Sequence, residues 1–157
     1  MFQRVLIANR GEIAVRIARA CRELGVETVS VYSQADADAL HVQLATRAVC
    51  IGPAKAADSY LNVNALLTVA KETGCDAVHP GYGFLSESAE FSDKCAEMGL
   101  RFIGPSGDVI RMMGNKSAAR ELMQKHNVPV VPGSDGAVET AQQAQEIAEK
   151  IGYPVLV

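Results

Sequence analysis

Three times within the first 105 residues a short β-branched run gives way to a turn and then to apolar positions at helical spacing. That alternation restricts the chain to a small set of layered folds. Residues 2–8 form the first run and end at Asn9-Arg10-Gly11; from Glu12 onward, Ile13, Ile17, Ala20, Cys21 and Leu24 mark the apolar face of a helix. Gly25 stops that helix, and the valine-rich stretch 27–32 is the next strand. Strand, helix and strand within about 30 residues make a βαβ unit, whose right-handed crossover implies a parallel sheet. Strand 48–51 closes at Gly52-Pro53, Asn62 caps a helix through Glu72, and strand 77–79 runs into Pro80-Gly81. Ser86 or Ser88 caps a helix to Met98, and strand 101–103 ends at Gly104-Pro105. Five strands with helices between them predict an α/β, doubly wound open sheet of Rossmann-like kind, with ligands at the carboxyl ends of its strands.

Beyond Pro105 the pattern changes. A helix is expected over 115–126, a stiff extended link over 128–133, a second helix over 140–151 and a hydrophobic strand from Tyr153 to Val157. A lone strand has no partner for its backbone groups, so the chain is expected to be the front part of a longer polypeptide.

Composition narrows the function classes. A chain of 157 residues with 48% apolar and 21% charged residues can close a core without staples. The net charge is −3 and the basic residues are interspersed with acids, which argues against a nucleic-acid partner. Cys21, Cys50, Cys75 and Cys95 form no C-x-x-C pair and read as buried, reduced thiols. The apolar run Val5-Leu6-Ile7-Ala8 is cut by Asn9-Arg10, too short for a signal peptide or a membrane span. The expected compartment is the cytoplasm, or a mitochondrial matrix.

Four features carry candidate chemistry. The turn at Asn9-Arg10-Gly11 sits where a dinucleotide fold places its phosphate loop, but it has one glycine where that fingerprint needs three, and Glu12 in the first helical turn repels anions. In His79-Pro80-Gly81-Tyr82-Gly83-Phe84-Leu85-Ser86-Glu87 a strand ends in two glycines beside an aromatic, a histidine and a carboxylate. It reads either as a ligand loop or as a turn whose Tyr82 and Phe84 cover the sheet end. Lys116 stands at a helix start, where a cation opposes the dipole unless an anion answers it; the alternative is a solvated lysine. Arg16, Arg19 and Glu23 make one charged stripe on the first helix, either solvated or a self-complementary dimer patch.

The stretches Ile7-Ala8-Asn9-Arg10-Gly11-Glu12-Ile13-Ala14, residues 79–87, Phe102-Ile103-Gly104-Pro105 and Met113-Gly114-Asn115-Lys116, in this order and spacing, resemble the start of biotin carboxylase across the whole chain. Ser88 stands where that pattern has asparagine, and both residues cap helices. The family comprises the biotin carboxylase subunit of acetyl-CoA carboxylase, which serves fatty acid biosynthesis, and the equivalent modules of propionyl-CoA, methylcrotonyl-CoA, pyruvate and urea carboxylases. The resemblance implies a ligase that uses ATP, Mg²⁺ and bicarbonate to make carboxyphosphate. It then carboxylates N1 of biotin on a biotin carboxyl carrier protein, for delivery to a carboxyltransferase.

The resemblance also divides the chain, with residues 1–114 as the pre-ATP-grasp domain and 115–157 as a helical linker with the first elements of an ATP-grasp domain. By resemblance Lys116 contacts ATP, and Tyr82 with Gly83 borders the biotin pocket. The expected assembly is a homodimer through Arg16, Arg19 and Glu23. The lid, a second ATP lysine, the metal-binding glutamates and the carboxylation base belong to the family's later domains. No catalytic or metal-ligating residue is therefore expected in this stretch, and it is expected to be inactive alone. The other readings are a non-catalytic nucleotide-binding module and an assembly domain.

Overall fold

A strand buried on both faces has to be an inner strand of a covered sheet, and β1 (Arg4–Ile7) meets that condition, with Val5, Leu6 and Ile7 all excluded from solvent. The computed structural model describes residues 1–134 and 138–156. They divide into two units, Met1–Ile110 and Arg111–Val157. In the first unit β1 is joined by β2 (Glu27–Ser33), β3 (Arg47–Gly52), β4 (Ala77–His79) and β5 (Arg101–Phe102). All pairs are parallel and the spatial order is β3-β2-β1-β4-β5. This is the α/β doubly wound arrangement that the alternation predicts.

Side-chain alternation sorts the core into two layers. Val5, Ile7 and Ala77 face α1 (Gly11–Glu23) and the short α2 (Leu40–Leu44). Leu6, Val29, Val31 and Val78 face α3 (Val63–Glu72) and α4 (Ala89–Glu97), which contribute Leu66, Leu67, Phe91 and Cys95. Phe91 meets Phe102 edge to face, with ring centroids 5.9 Å apart and planes at 87°. The helix α5 (Gly107–Gly114) follows, and the second unit holds α6 (Lys116–Lys125) and α7 (Ala141–Ile151).

The expected caps at Asn62 and Ser88 are present, and the structure adds caps at Asn115 and Thr140. Asn62 accepts from the Ala65 amide at 3.1 Å and Ser88 from the Phe91 amide at 3.2 Å. Asn115 accepts from the Ala118 amide at 3.1 Å and Thr140 from the Gln143 amide at 3.2 Å. Four details differ from the sequence reading. The buried stripe of α1 is Ala14, Ile17, Ala18 and Cys21, whereas Ala20 and Leu24 are exposed. Small alanines bring the helix close to the sheet, and Leu24 lies past the last turn. Cys50 is exposed, unlike the other three free thiols, because β3 is an edge strand with one face only partly covered. Residues 153–156 form no strand, since no neighbour among the described residues offers a ladder; Val157 lies outside the described residues. Finally, α2 and α5 had no sequence signal, α2 being only five residues long.

No helix among the described residues is long and apolar enough to cross a membrane. The packing of Phe91 sets an expectation for stability. Phe91→Ala leaves a void between α4 and the sheet and is expected to cost about 3–5 kcal/mol. Urea unfolding checks this, with a lowered midpoint at an unchanged m-value.

Candidate functional site

Strand order reverses between β1 and β4, so the crevice beyond their carboxyl ends is the expected ligand position of this architecture. The register pairs Ile7 with His79, and the Ala8 amide continues the ladder by donating to the His79 carbonyl at 2.9 Å. The next residue on each strand therefore meets its counterpart, and Asn9 lies against the Pro80-Gly81-Tyr82 turn. Asn9, 3% exposed, donates from Nδ2 to the Pro80 carbonyl at 2.7 Å and to the Tyr82 carbonyl at 2.8 Å. Its Oδ1 accepts from the Arg10 amide at 2.9 Å. The Gly81 amide donates to His79 Nδ1 at 3.0 Å, which makes that nitrogen the unprotonated one; burial lowers the His79 pKa and favours the neutral ring.

The two glycines of the loop do different work. Both have φ of +67°, which a side chain disfavours. A Cβ on Gly81 would stand 2.8 Å from Asn9 Nδ2 and 3.1 Å from Ile13 Cγ1, whereas a Cβ on Gly83 would meet nothing within 4 Å. Gly81 thus admits Asn9, and Gly83 faces open space. The two aromatics also divide. Phe84 stacks on Tyr60 at 5.2 Å and packs against the core, as the sheet-covering reading expects. Tyr82 is 60% exposed, and its hydroxyl donates to Glu12 Oε2 at 3.1 Å, whose hydrogen bond and charge raise the phenol pKa.

On the β2 side of the crevice the loop is braced by Arg10 together with two residues that had no sequence signal, Asp36 and Tyr60. The Arg10 guanidinium lies 5.2 Å from the Tyr60 ring centroid and 5.5 Å from that of Phe84, while its Nη1 is 3.3 Å from Asp36. Asp36 also accepts from Ser33 Oγ at 2.7 Å and from the Tyr60 hydroxyl at 2.6 Å. That hydroxyl in turn accepts from the Ser33 amide at 2.9 Å. Burial works to raise the Asp36 pKa, but the hydrogen bonds from Ser33, Tyr60 and Arg10, with the Arg10 charge, hold it below the usual carboxylate range. Tyr60 is fully buried, and burial, helped by its bond to Asp36, pushes its phenol up to about 12. Arg10 lies inside a recognised motif, whereas Asp36 and Tyr60 are brought in by tertiary contact from positions with no diagnostic spacing.

Other sequence-derived candidates lie elsewhere. Lys116 is exposed at the first position of α6 in the second unit, immediately after its capping Asn115. Arg16, Arg19 and Glu23 are all exposed on α1, and Arg16 Nε is 3.6 Å from Glu12 Oε1 on its own helix. A hollow of about 430 Å³ beside β5, lined by Ser92, Asp93, Arg101 and Gly104, is built by neither the Asn9 turn nor the glycine loop. Among the described residues no group of three or more His, Cys, Asp or Glu side chains is arranged to hold a metal ion.

The brace has a pH signature. A folded-state phenol pKa raised above the ordinary value of about 10 adds stability that is complete below pH 10 and lost as the pH rises towards 12. Asp36, with its pKa lowered, adds stability that is present above about pH 4 and lost as the pH falls through its folded value. Tyr60→Phe is therefore expected to flatten the alkaline limb of a stability–pH curve and Asp36→Asn the acidic limb. At neutral pH, Tyr60→Phe costs about 1–3 kcal/mol by leaving the Ser33 amide unpaired. Denaturant unfolding across pH checks all three.

Comparison with known proteins agrees with this geometry. Residues 1–110 match the family model for the biotin carboxylase N-terminal domain, and residues 115–157 match that for the ATP-binding domain of the carbamoyl-phosphate synthase L chain. Biotin carboxylase 1 of Bacillus subtilis (strain 168) is 59% identical over 157 residues, covering all of this chain and 35% of that protein. The chain thus spans about a third of the length of such relatives. Among solved structures, the biotin carboxylase domain dimer of Hydrogenobacter thermophilus 2-oxoglutarate carboxylase, in complex with MgADP, ADP and bicarbonate, superposes with a TM-score of 0.88 at 48% identity. That match covers 98% of this chain and 34% of the other. A biotin carboxylase–β-γ-ATP complex from Campylobacter jejuni gives a TM-score of 0.90 at 47% identity, with the same coverage of both chains. A parallel sheet of this order, a glycine loop clamped at its switch point, and a family model spanning most of the chain lead to one conclusion: the chain belongs to the biotin carboxylase family, and residues 1–110 are its N-terminal domain.

Proposed function

We propose that the protein to which this chain belongs is an ATP- and bicarbonate-dependent biotin carboxylase. It forms carboxyphosphate and carboxylates N1 of biotin on a biotin carboxyl carrier protein, from which a carboxyltransferase takes the carboxyl group. The observation that carries this reading is the loop 79–87. It ends β4 at the switch point, is clamped from below by Asn9, and turns the uncovered face of Gly83 outward beside Tyr82. A flat ureido ring needs a surface without side-chain bulk and with backbone polar atoms in reach, and Gly83 supplies both.

The nucleotide is bound by the other unit. Lys116 has no hydrogen bond or ion pair among the described residues and opens α6, where the helix dipole also favours an anion. Its cation offsets phosphate charge, and magnesium supplies the rest of that neutralisation when bound. Among the described residues no group of side chains is arranged to hold magnesium. With residues 1–114 as the pre-ATP-grasp domain and 115–157 as the opening of the ATP-grasp domain, this stretch alone is inactive. The full-length protein works in the cytoplasm or a mitochondrial matrix as a homodimer, with Arg16, Arg19 and Glu23 on the two-fold contact. In support, all three are exposed on one face of α1.

Two experiments on the full-length enzyme test the reading. Gly83→Val is expected to lower kcat/KM for free biotin at least about tenfold with ATP KM within a few-fold, and Lys116→Gln to show the reverse selectivity. Steady-state kinetics in each substrate decide this; parallel losses in both substrates for Gly83→Val, with a lowered Tm, would make the glycine a fold residue. Arg19→Glu is expected to place like charges across the two-fold contact and shift the enzyme towards monomer. Sedimentation velocity showing an undiminished dimer refutes the interface.

A further inference from the structure

We propose that Asn9 is the positioning residue of the biotin loop, a role that rests on the biotin reading above. The side chain is buried, and its three polar contacts are all to backbone: two donations to the carbonyls of Pro80 and Tyr82, and one acceptance from the Arg10 amide. Only a primary amide of this length offers two donors and an acceptor at once. Aspartate has the shape but no donors, serine has one, and glutamine is longer by a methylene in a space already filled. The fit is close, because a Cβ on Gly81 would stand 2.8 Å from Asn9 Nδ2 and 3.1 Å from its Cγ.

The clamp acts on orientation. A peptide unit is planar and trans, so its carbonyl and its N–H point in opposite directions. Holding the Tyr82 carbonyl against Asn9 therefore turns the Gly83 N–H away from Asn9, and no group among the described residues accepts from that N–H. With φ of +67° at both Gly81 and Gly83, the unclamped loop has other backbone states within easy reach. Asn9 selects one of them, so that biotin meets a backbone already set rather than one it has to order. The anchor is rigid because Asn9 directly follows the β1–β4 ladder that ends at the Ala8 amide and the His79 carbonyl.

The test uses the full-length enzyme with free biotin as the probe and three variants: Asn9→Asp, Asn9→Ala and, as reference for the loop itself, Gly83→Val. Asn9→Asp keeps size and the acceptor for the Arg10 amide but turns one carboxylate oxygen towards two carbonyls. Asn9→Ala removes the clamp without repulsion. The expected result is a biotin KM raised about tenfold or more in Asn9→Asp and by less in Asn9→Ala, with ATP KM within about twofold in both. A space-filling role requires the opposite order, since alanine leaves the larger void, and that order overturns the proposal. So does a biotin KM unmoved in both Asn9 variants while Gly83→Val raises it. Parallel loss of ATP and biotin binding with a lowered Tm overturns it as well, by making Asn9 a fold residue. If Gly83→Val also leaves biotin KM unchanged, the biotin reading itself fails and takes this proposal with it.

Discussion

The parallel pairing of β1 with β2 on one side and β4 on the other is the constraint on which the rest of the molecule depends. Because β1 is central and buried on both faces, a one-residue slip against β4 would exchange the layer of Leu6 for that of Val5 and Ile7. Such a slip would bury the wrong set against each pair of helices, so the register is strongly held. That register alone brings Asn9 beside Pro80, although 71 residues separate them in the chain. The candidate site is thus a by-product of core packing, placed where the strand order reverses and no helix can cover the crevice.

Around this frame the forces are unequal. The Arg10–Asp36 pair is 3.3 Å apart and its side chains are 42% and 22% exposed, so by itself it contributes about 0–1 kcal/mol. Tyr60, fully buried and stacked on Phe84, outweighs it, since an aromatic of this size removes about 150–250 Å² from water at roughly 25 cal/mol per Å². Burial holds the ring, and the polar contacts orient it. Asp36 gathers Ser33, Tyr60 and Arg10 at one carboxylate, and Arg10 lies near both the Tyr60 and Phe84 rings, so the turn after β1 and the far end of the glycine loop are braced together. The loop is therefore held at both ends, by Asn9 at residues 80–82 and by the Tyr60–Phe84 stack, and Gly83 is the position between them with an open face.

Strand and helix alternation, glycine stops and the caps at Asn62 and Ser88 were legible because they are local: each depends on spacing within a few residues, and the structure has all five strands and both caps. The loop 79–87 and the Lys116 helix start were legible as motifs for the same reason. The exposed state of Cys50 was not, because it depends on β3 being an edge strand, a property of strand order rather than of composition. The inward face of α1 was read one position wide of the truth at Ala20, since alanine on a helix is equally at home on either face until packing chooses.

The sequence by itself determined the fold class, the family and the segment that forms the candidate loop, because periodicity, turn chemistry and motif order are written in neighbouring residues. Only the tertiary structure decided that Gly81 admits Asn9 while Gly83 faces outward, for the two have the same φ and differ solely in what stands opposite them. It likewise decided that Asp36 and Tyr60 belong to the brace, because they lie beyond the carboxyl ends of β2 and β3 and meet Arg10 once those strands pair side by side with β1. Contacts of that kind carry no local signature; they exist once burial on both faces of β1 has set which strands are neighbours and in what register.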